Sequence, residues 1–425
     1  MSHSTLQQLQ AGQLTSAYRL SQQQELIVRL QIDASLTELP KEIFDLADCL
    51  EILDLSNNNL SSLPADLFRL KKLRILFCSN NQFTHLPAVL GECAQLEMIG
   101  FKSNKIVSVS SDSLPALTRW LILTDNKIEY LPEDVGRLAR LQKLALAGNR
   151  LTALPDSLVN CQKLELVRLS ANQLKAFPDV LLHLPRLAWL AFSGNPFCAE
   201  RDPHNEFKTV SFSDLTLHQV LGQGASGVIS LATWRHNRFD FSDSVAVKVF
   251  KGEVTSDGYP EDELDACLAV GSHSNLVQPL AKVSEPNCSA LVMELIPAHY
   301  TNLGQPPSLG SCTRDTFVNE QEFSIEKIAY VIEQADRLVA HFCERKVSHG
   351  DFYAHNTLIN QDGHILFGDF GAASKYANLS EQQQRGIEKI EQRALGFFID
   401  DMLNLCDEVG QKSVLYDSLS KRRFV

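Results

Sequence analysis

Residues 50–64 read LEILDLSNNNLSSLP, and the frame L-x-x-L-x-L-x-x-N-x-L-x-x-L-P recurs on both sides of them. It returns as LRILFCSNNQFTHLP at 73–87, LQKLALAGNRLTALP at 141–155 and LELVRLSANQLKAFP at 164–178. The Asn of the frame falls at Asn58, Asn81, Asn104, Asn126, Asn149, Asn172 and Asn195, at intervals of 23, 23, 22, 23, 23 and 23 residues. The L-x-L part alternates as a half-buried strand does. Asn follows where the chain turns, and its amide can bond backbone groups that a curved stack leaves unpaired. L-x-x-L-P then brings the chain around, and segments such as ADLFRLKKL (65–73) offer apolar residues at helical spacing. One unit buries its leucines only against its neighbours, so such an array needs several units and capped ends.

This pattern resembles a leucine-rich repeat solenoid over residues 36–198. The frame breaks before Leu36, where LIVRLQIDASLTELP (26–40) carries Ala34 in place of the Asn. Residues 1–35 therefore read as a Gln-rich helical cap and a degenerate first unit. The 22-residue interval spans VSVSSDSLPALTRWLIL (107–123), an irregular unit read as a tolerated local deletion. Strand positions between the leucines would line the concave face, the usual binding surface of a solenoid. They mix acids (Glu51, Asp54, Glu97, Glu165), bases (Arg74, Lys102, Arg119, Lys143, Arg168) and apolar residues such as Phe77, Ile122 and Ala188. A mixed face suits a protein or peptide partner, and a net charge of −12 argues against nucleic acid.

At 425 residues the chain is too long for one core. The leucine rhythm stops after GNPFC (194–198), and the polar stretch that follows contains Pro203, so 199–211 reads as a linker. Next comes LTLHQVLGQGASGVISLATW (215–234), with Gly222, Gly224 and Gly227 between two strand-like runs. Glycines there let backbone amides approach phosphate oxygens. The β-like run after them excludes a dinucleotide-binding βαβ turn. SVAVKVF (244–250) puts Lys248 in a β-branched strand, where a buried ammonium needs an acid. PEDELDACLAV (260–270) supplies Glu263 as first choice and Glu261 as second. SHSNLVQPL (272–280) and the strand ALVMELI (290–296) follow, then VSHGDFYAHNTLINQDGHILFGDFGAAS (347–374).

The series of Gly-rich hairpin, V-A-V-K, helix with Glu, H-G-D-x-x-x-x-N and D-F-G resembles the protein-kinase fold, over residues 212–425. The whole is similar to bacterial leucine-rich-repeat Ser/Thr protein kinases. An α/β repeat solenoid, followed by an α+β two-lobed kinase-like domain with a minimal C-terminal lobe, is expected. By that resemblance Asp351 accepts the hydroxyl proton, Asn356 and Asp369 hold Mg2+, and Lys248 holds ATP phosphates. The resemblance also puts Gly222, Gln223, Gly224, Gly227, Val228, Ala246, Glu263, Glu294 and Ile296 at the nucleotide, with Met293 on the adenine side. The implied reaction is ATP- and Mg-dependent phosphoryl transfer to a protein Ser/Thr hydroxyl, with the repeats recruiting the partner.

Several positions depart from the pattern. Gly350 replaces the Arg that often holds a phosphorylated activation loop, which predicts activity independent of loop phosphorylation. Tyr353 stands where Ser/Thr kinases usually carry a Lys. On the helix that anchors the catalytic loop, Glu391 and Gly396 stand in place of Asp and Gly. H-G-D and the absence of A-P-E keep a small-molecule kinase open, and a non-catalytic pseudokinase scaffold is the third reading. The ten cysteines form no C-x-x-C pair, which excludes a common zinc or redox motif. With no basic start leading into an apolar run and no 20-residue apolar stretch, a cytoplasmic protein without a membrane span is expected.

Overall fold

The computed structural model describes residues 2–198, 207–224, 226–251, 254–255, 257–286, 288–318 and 321–423. Residues 199–206 of the expected linker, Pro203 among them, lie outside the described residues. By contacts the chain divides into two compact units, Met1–Val167 with Asn172–Arg186, and Arg168–Ala171 with Leu187–Val425.

Two helices open the chain, α1 (Ser2–Gln10) and α2 (Ser16–Ser21). Thr15 caps α2, its hydroxyl accepting the amide of Tyr18. Eight short strands follow: β1 (Arg29–Gln31), β2 (Ile52–Asp54), β3 (Ile75–Phe77), β4 (Met98–Gly100), β5 (Trp120–Ile122), β6 (Lys143–Ala145), β7 (Leu166–Arg168) and β8 (Trp189–Ala191). They form a parallel sheet in chain order.

The Asn residues turn inward and bridge neighbouring repeats. Asn81, nearly fully buried, accepts the Leu60 amide at 2.9 Å and donates to the carbonyls of Leu55 (2.9 Å) and Cys78 (3.2 Å). Asn104 repeats this set, accepting from Phe83 N at 3.1 Å and donating to Cys78 O at 3.0 Å and Phe101 O at 3.2 Å. Asn58 accepts from Ala34 N and Leu36 N, so the unit without its own Asn is served by the next. The shortened unit keeps the ladder: Met98 pairs with Trp120, and Asn126 accepts the Ile106 amide at 2.9 Å. The return segments are 3-10 turns such as Lys41–Leu46 and Asp156–Asn160 rather than α-helices. A 3-10 turn rises faster per residue, which suits a repeat of 23 residues, and a Pro stands at its start at Pro40, Pro87, Pro132, Pro155 and Pro178.

The second unit holds a five-stranded antiparallel sheet in the order β12-β13-β11-β10-β9. Its strands are β9 (Leu215–Gln223), β10 (Gly227–Trp234), β11 (Ser244–Phe250), β12 (Pro279–Glu285) and β13 (Cys288–Glu294). One face packs Leu215, Ala232, Val245, Val247, Val283 and Val292 into a core. Helix α3 (Pro260–Val270) lies between β11 and β12 in the chain.

The rest is mostly helical. Helix α4 (Ile325–Arg345) buries Ile325, Ile328, Ile332, Ala335, Val339 and Phe342 along one face, the 3.6-residue period of an amphipathic helix. Helix α5 (Glu381–Asn404) starts with a capping box between Ser380 and Gln383, and α6 (Val414–Ser420) closes the fold. β14 (Thr301–Asn302) precedes α4, and β15 (Val347–Ser348), β16 (Thr357–Ile359), β17 (Ile365–Phe367) and β18 (Ser374–Lys375) run between α4 and α5. β14, β16 and β17 form one small sheet; β15 and β18 form another. No helix among the described residues is long and apolar enough to cross a membrane.

Candidate active site

Strand alternation aims Lys248. Val245 and Val247 of β11 face the core, so Ala246 and Lys248 face the other side. The Lys248 ammonium pairs with the Glu263 carboxylate, both buried. Helix α3 begins with Pro260 in its first turn, beside Glu261, Asp262 and Glu263, where the helix dipole favours acids. Only Glu263 of these reaches Lys248 among the described residues; Glu261 does not. Burial pushes the Glu263 carboxyl up, against the pull of the Lys248 charge. Removing either partner would leave a buried charge uncompensated, at about 3–5 kcal/mol.

A cavity of about 390 Å³ is lined by Gln223, Gly224, Gly227, Lys248, Glu263, Met293, Ile296, Asn356 and Asp369, with others. A Cβ at Gly222 or Gly224 would enter open space, so these glycines leave room rather than relieve a clash. Gly222, Val228, Ala246, Glu294 and Asp351 lie outside the described lining. Val228 and Ala246 are spent on strand pairing, with Val249 and Met293 respectively. The Glu294 amide donates to Gln278 O at 3.0 Å.

Asp351 and Asn356 sit on the loop between β15 and β16. Asn356 donates from Nδ2 to the Asp351 carbonyl at 3.0 Å and to its Oδ2 at 2.8 Å. Buried Glu391 of α5 fixes the loop: it accepts from Ser348 Oγ at 2.7 Å and from the amides of His349 and Gly350, each at 3.2 Å. His349 bonds the Asp351 amide through Nδ1 at 3.3 Å and the Gly368 carbonyl through Nε2 at 3.2 Å. It thereby ties the Asp351 loop to the turn carrying Asp369, whose backbone is left-handed at φ 56°.

The two departures at 350 and 353 have structural causes. Gly350 has φ 70°, and a Cβ there would lie 2.6 Å from the carbonyl oxygens of both Ala372 and Leu190. No side chain, Arg included, fits that space. Tyr353 stacks on Trp189 with ring centroids 4.4 Å apart, and Trp189 Nε1 donates to Phe352 O at 3.2 Å. An aromatic ring at 353 is thus part of the packing around β8.

Arg168, which groups by contacts with this second unit, reaches the same loop. It donates from Nη2 to Asp351 Oδ1 at 2.6 Å, from Nη1 to Gly350 O at 3.0 Å and from Nε to Asp257 Oδ1 at 2.7 Å. Burial pulls its basicity down, but the Asp351 and Asp257 charges outweigh this and hold it above its ordinary value. Sequence reasoning placed Arg168 on the concave face and missed it here. The available signal was negative: positions 350 and 353 leave Asp351 without an Arg or Lys from its own loop.

Residues 215–395 match the protein tyrosine and serine/threonine kinase family, and 48–106 and 139–197 match leucine rich repeats. The chain is 25% identical over 184 residues to fibroblast growth factor receptor 1 of Pleurodeles waltl, covering 40% of this chain and 22% of the receptor. It is 28% identical over 167 residues to a Dictyostelium discoideum protein named "probable serine/threonine-protein kinase", covering 39% of this chain and 11% of that one. The match thus spans about a fifth or less of the length of these curated relatives. A solved leucine-rich repeat protein of Leptospira interrogans aligns over 45% of this chain and 52% of its own, at 25% identity and a TM-score of 0.38. The chain carries leucine-rich repeats and, after them, a kinase domain of the protein tyrosine and serine/threonine kinase family.

Proposed function

We propose that the chain transfers the γ-phosphoryl group of ATP to a Ser/Thr hydroxyl of a protein, which the repeats recruit. The observation that carries this reading is the convergence of Lys248, Asn356 and Asp369 on one cavity, with Asp351 held against Asn356. The cavity's size suits a nucleotide, and Lys248 offers it a cation. Asn356 and Asp369 offer amide and carboxylate oxygens, the hard donors that Mg2+ takes. When bound, the metal neutralises charge developing on the phosphate oxygens.

The protein residues do the rest. The acceptor oxygen bonds to phosphorus while the bond to the β-phosphate oxygen breaks, and ADP leaves with that electron pair. Asp351 takes the hydroxyl proton, Lys248 holds the α- and β-phosphates, and Gly224 and Gly227 let backbone amides approach them. Gln223 lines this pocket, Gly222, Val228, Ala246 and Glu294 act as its neighbours, and Glu263 orients Lys248. Independence from loop phosphorylation is supported by the full burial of Ser374 and Tyr376 after D-F-G, while Ser380, the third hydroxyl before α5, is exposed and serves as that helix's N-cap. Ten free cysteines, mostly buried, suit a cytoplasmic setting. The functional boundaries are residues 36–198 for the solenoid and 212–425 for the kinase domain.

The test is to incubate the full chain and Asp351→Ala with Mg2+, γ-labelled ATP and cell extract. Label on protein Ser/Thr should fall by about 10²–10⁴ in the variant. Label only on small soluble species would make the chain a small-molecule kinase. Equal labelling by both forms would leave the non-catalytic scaffold.

A further inference from the structure

The matched kinase segment starts at residue 215, yet a side chain 47 residues before it bonds the proposed base. Arg168 belongs to β7, a strand whose register the repeat frame sets. Its side chain is 5% exposed, and every nitrogen of its guanidinium makes a hydrogen bond, two of them to carboxylates. Such a group is a fixture. A buried guanidinium costs several kcal/mol unless paired and hydrogen-bonded, so it has no low-cost way to leave Asp351. A surface arginine visiting the site would behave otherwise.

Asp351 needs such a neighbour. Its loop supplies Gly350 on one side, where close backbone leaves no room, and Tyr353 on the other, where the ring is stacked on Trp189. Asn356 orients one carboxylate oxygen, and the other oxygen meets Arg168. The third bond, to the Gly350 carbonyl, holds the backbone just before Asp351.

On the phosphoryl-transfer reading, on which this rests, we infer that Arg168 is a positioning residue that orients the Asp351 carboxylate and supplies the permanent cation that its own loop, with neither Arg nor Lys, lacks. The working site is completed by a residue of the penultimate repeat, outside the segment that matches kinases. Asp257 holds the guanidinium from its other side and shares this role at one remove.

The experiment uses the full chain, with steady-state phosphorylation of a substrate found in the labelling above and Mg-ADP-induced thermal shift as the binding readout. Arg168→Gln should lower kcat roughly 10²-fold while KM for ATP and the Mg-ADP shift stay within about twofold of the parent. Arg168→Lys keeps the charge but not the three-way fork, so kcat should recover to an intermediate value. Asp257→Asn should lower kcat severalfold; because Asp257 also lines the cavity, it tests the support of Arg168 and not the split from nucleotide binding. If Arg168→Gln fails to fold, Arg168→Lys decides by the same split. Unchanged kcat, or kcat falling only together with nucleotide binding and melting temperature, would reduce Arg168 to a structural role. A rise in kcat would make it an inhibitory clamp and overturn the inference. A parent chain with no Asp351-dependent transfer would overturn the phosphoryl-transfer reading itself, and the inference with it.

Discussion

The Asn ladder of the repeats and the Asp351 loop of the second unit both bury polar groups, but they satisfy them differently. Asn81 meets partners 2 to 26 residues away, and Asn104 meets the equivalent ones one repeat later. Arg168 meets partners 89, 182 and 183 residues away, and Glu391 reaches back 41 to 43. A periodic fold can reuse one local solution, whereas the candidate site assembles each polar contact once from distant segments. Damage should therefore be graded and repeatable in the first region, and severe and singular in the second.

Glu391→Ala should show the largest stability effect. It strips three buried donors of their acceptor, at roughly 3–5 kcal/mol, and should lower the melting midpoint of the second unit by about 10 °C. A fall of under about 3 °C would mean that the loop finds other acceptors and that the anchor is not singular.

The ladder should respond less, and evenly. Asn81→Ala and Asn104→Ala each leave a buried amide and carbonyls unpaired, at about 2 kcal/mol, read from urea unfolding. Because their contacts are equivalent, the two losses should agree within about 0.5 kcal/mol. A gap above about 1 kcal/mol would break the view that one local solution is repeated.

Exposed charge on the repeats should matter least. Arg74 bonds Glu97 at 3.2 Å and Glu51 at 3.5 Å, yet its side chain is half exposed. Arg74→Ala should change stability by less than about 1 kcal/mol, and 1 M salt should erase the difference. A larger, salt-resistant loss would blur the contrast with the buried pairs of the second unit.

Legibility in the sequence follows the same divide. The frame at 50–64 was readable because each repeat meets its neighbours at a constant offset, so periodicity alone carries the contact. Lys248, Asp351, Asn356 and Asp369 stood out as a spaced series of polar residues among strand-like runs. Even Glu263 was legible, since one helical turn of acids follows the lysine strand. The 3-10 returns were not, because apolar spacing of three or four residues suits either helix type over so short a run.

By itself, then, the amino-acid order determined the repeat, the order of the motifs and the residues that chemistry would demand. Tertiary structure alone decided why Gly350 and Tyr353 depart from the pattern and where Asp351 finds a cation. A clash with Leu190, a stack on Trp189 and a bond from Arg168 join segments 160 or more residues apart. No spacing rule encodes such contacts, because their geometry exists only once both segments are folded.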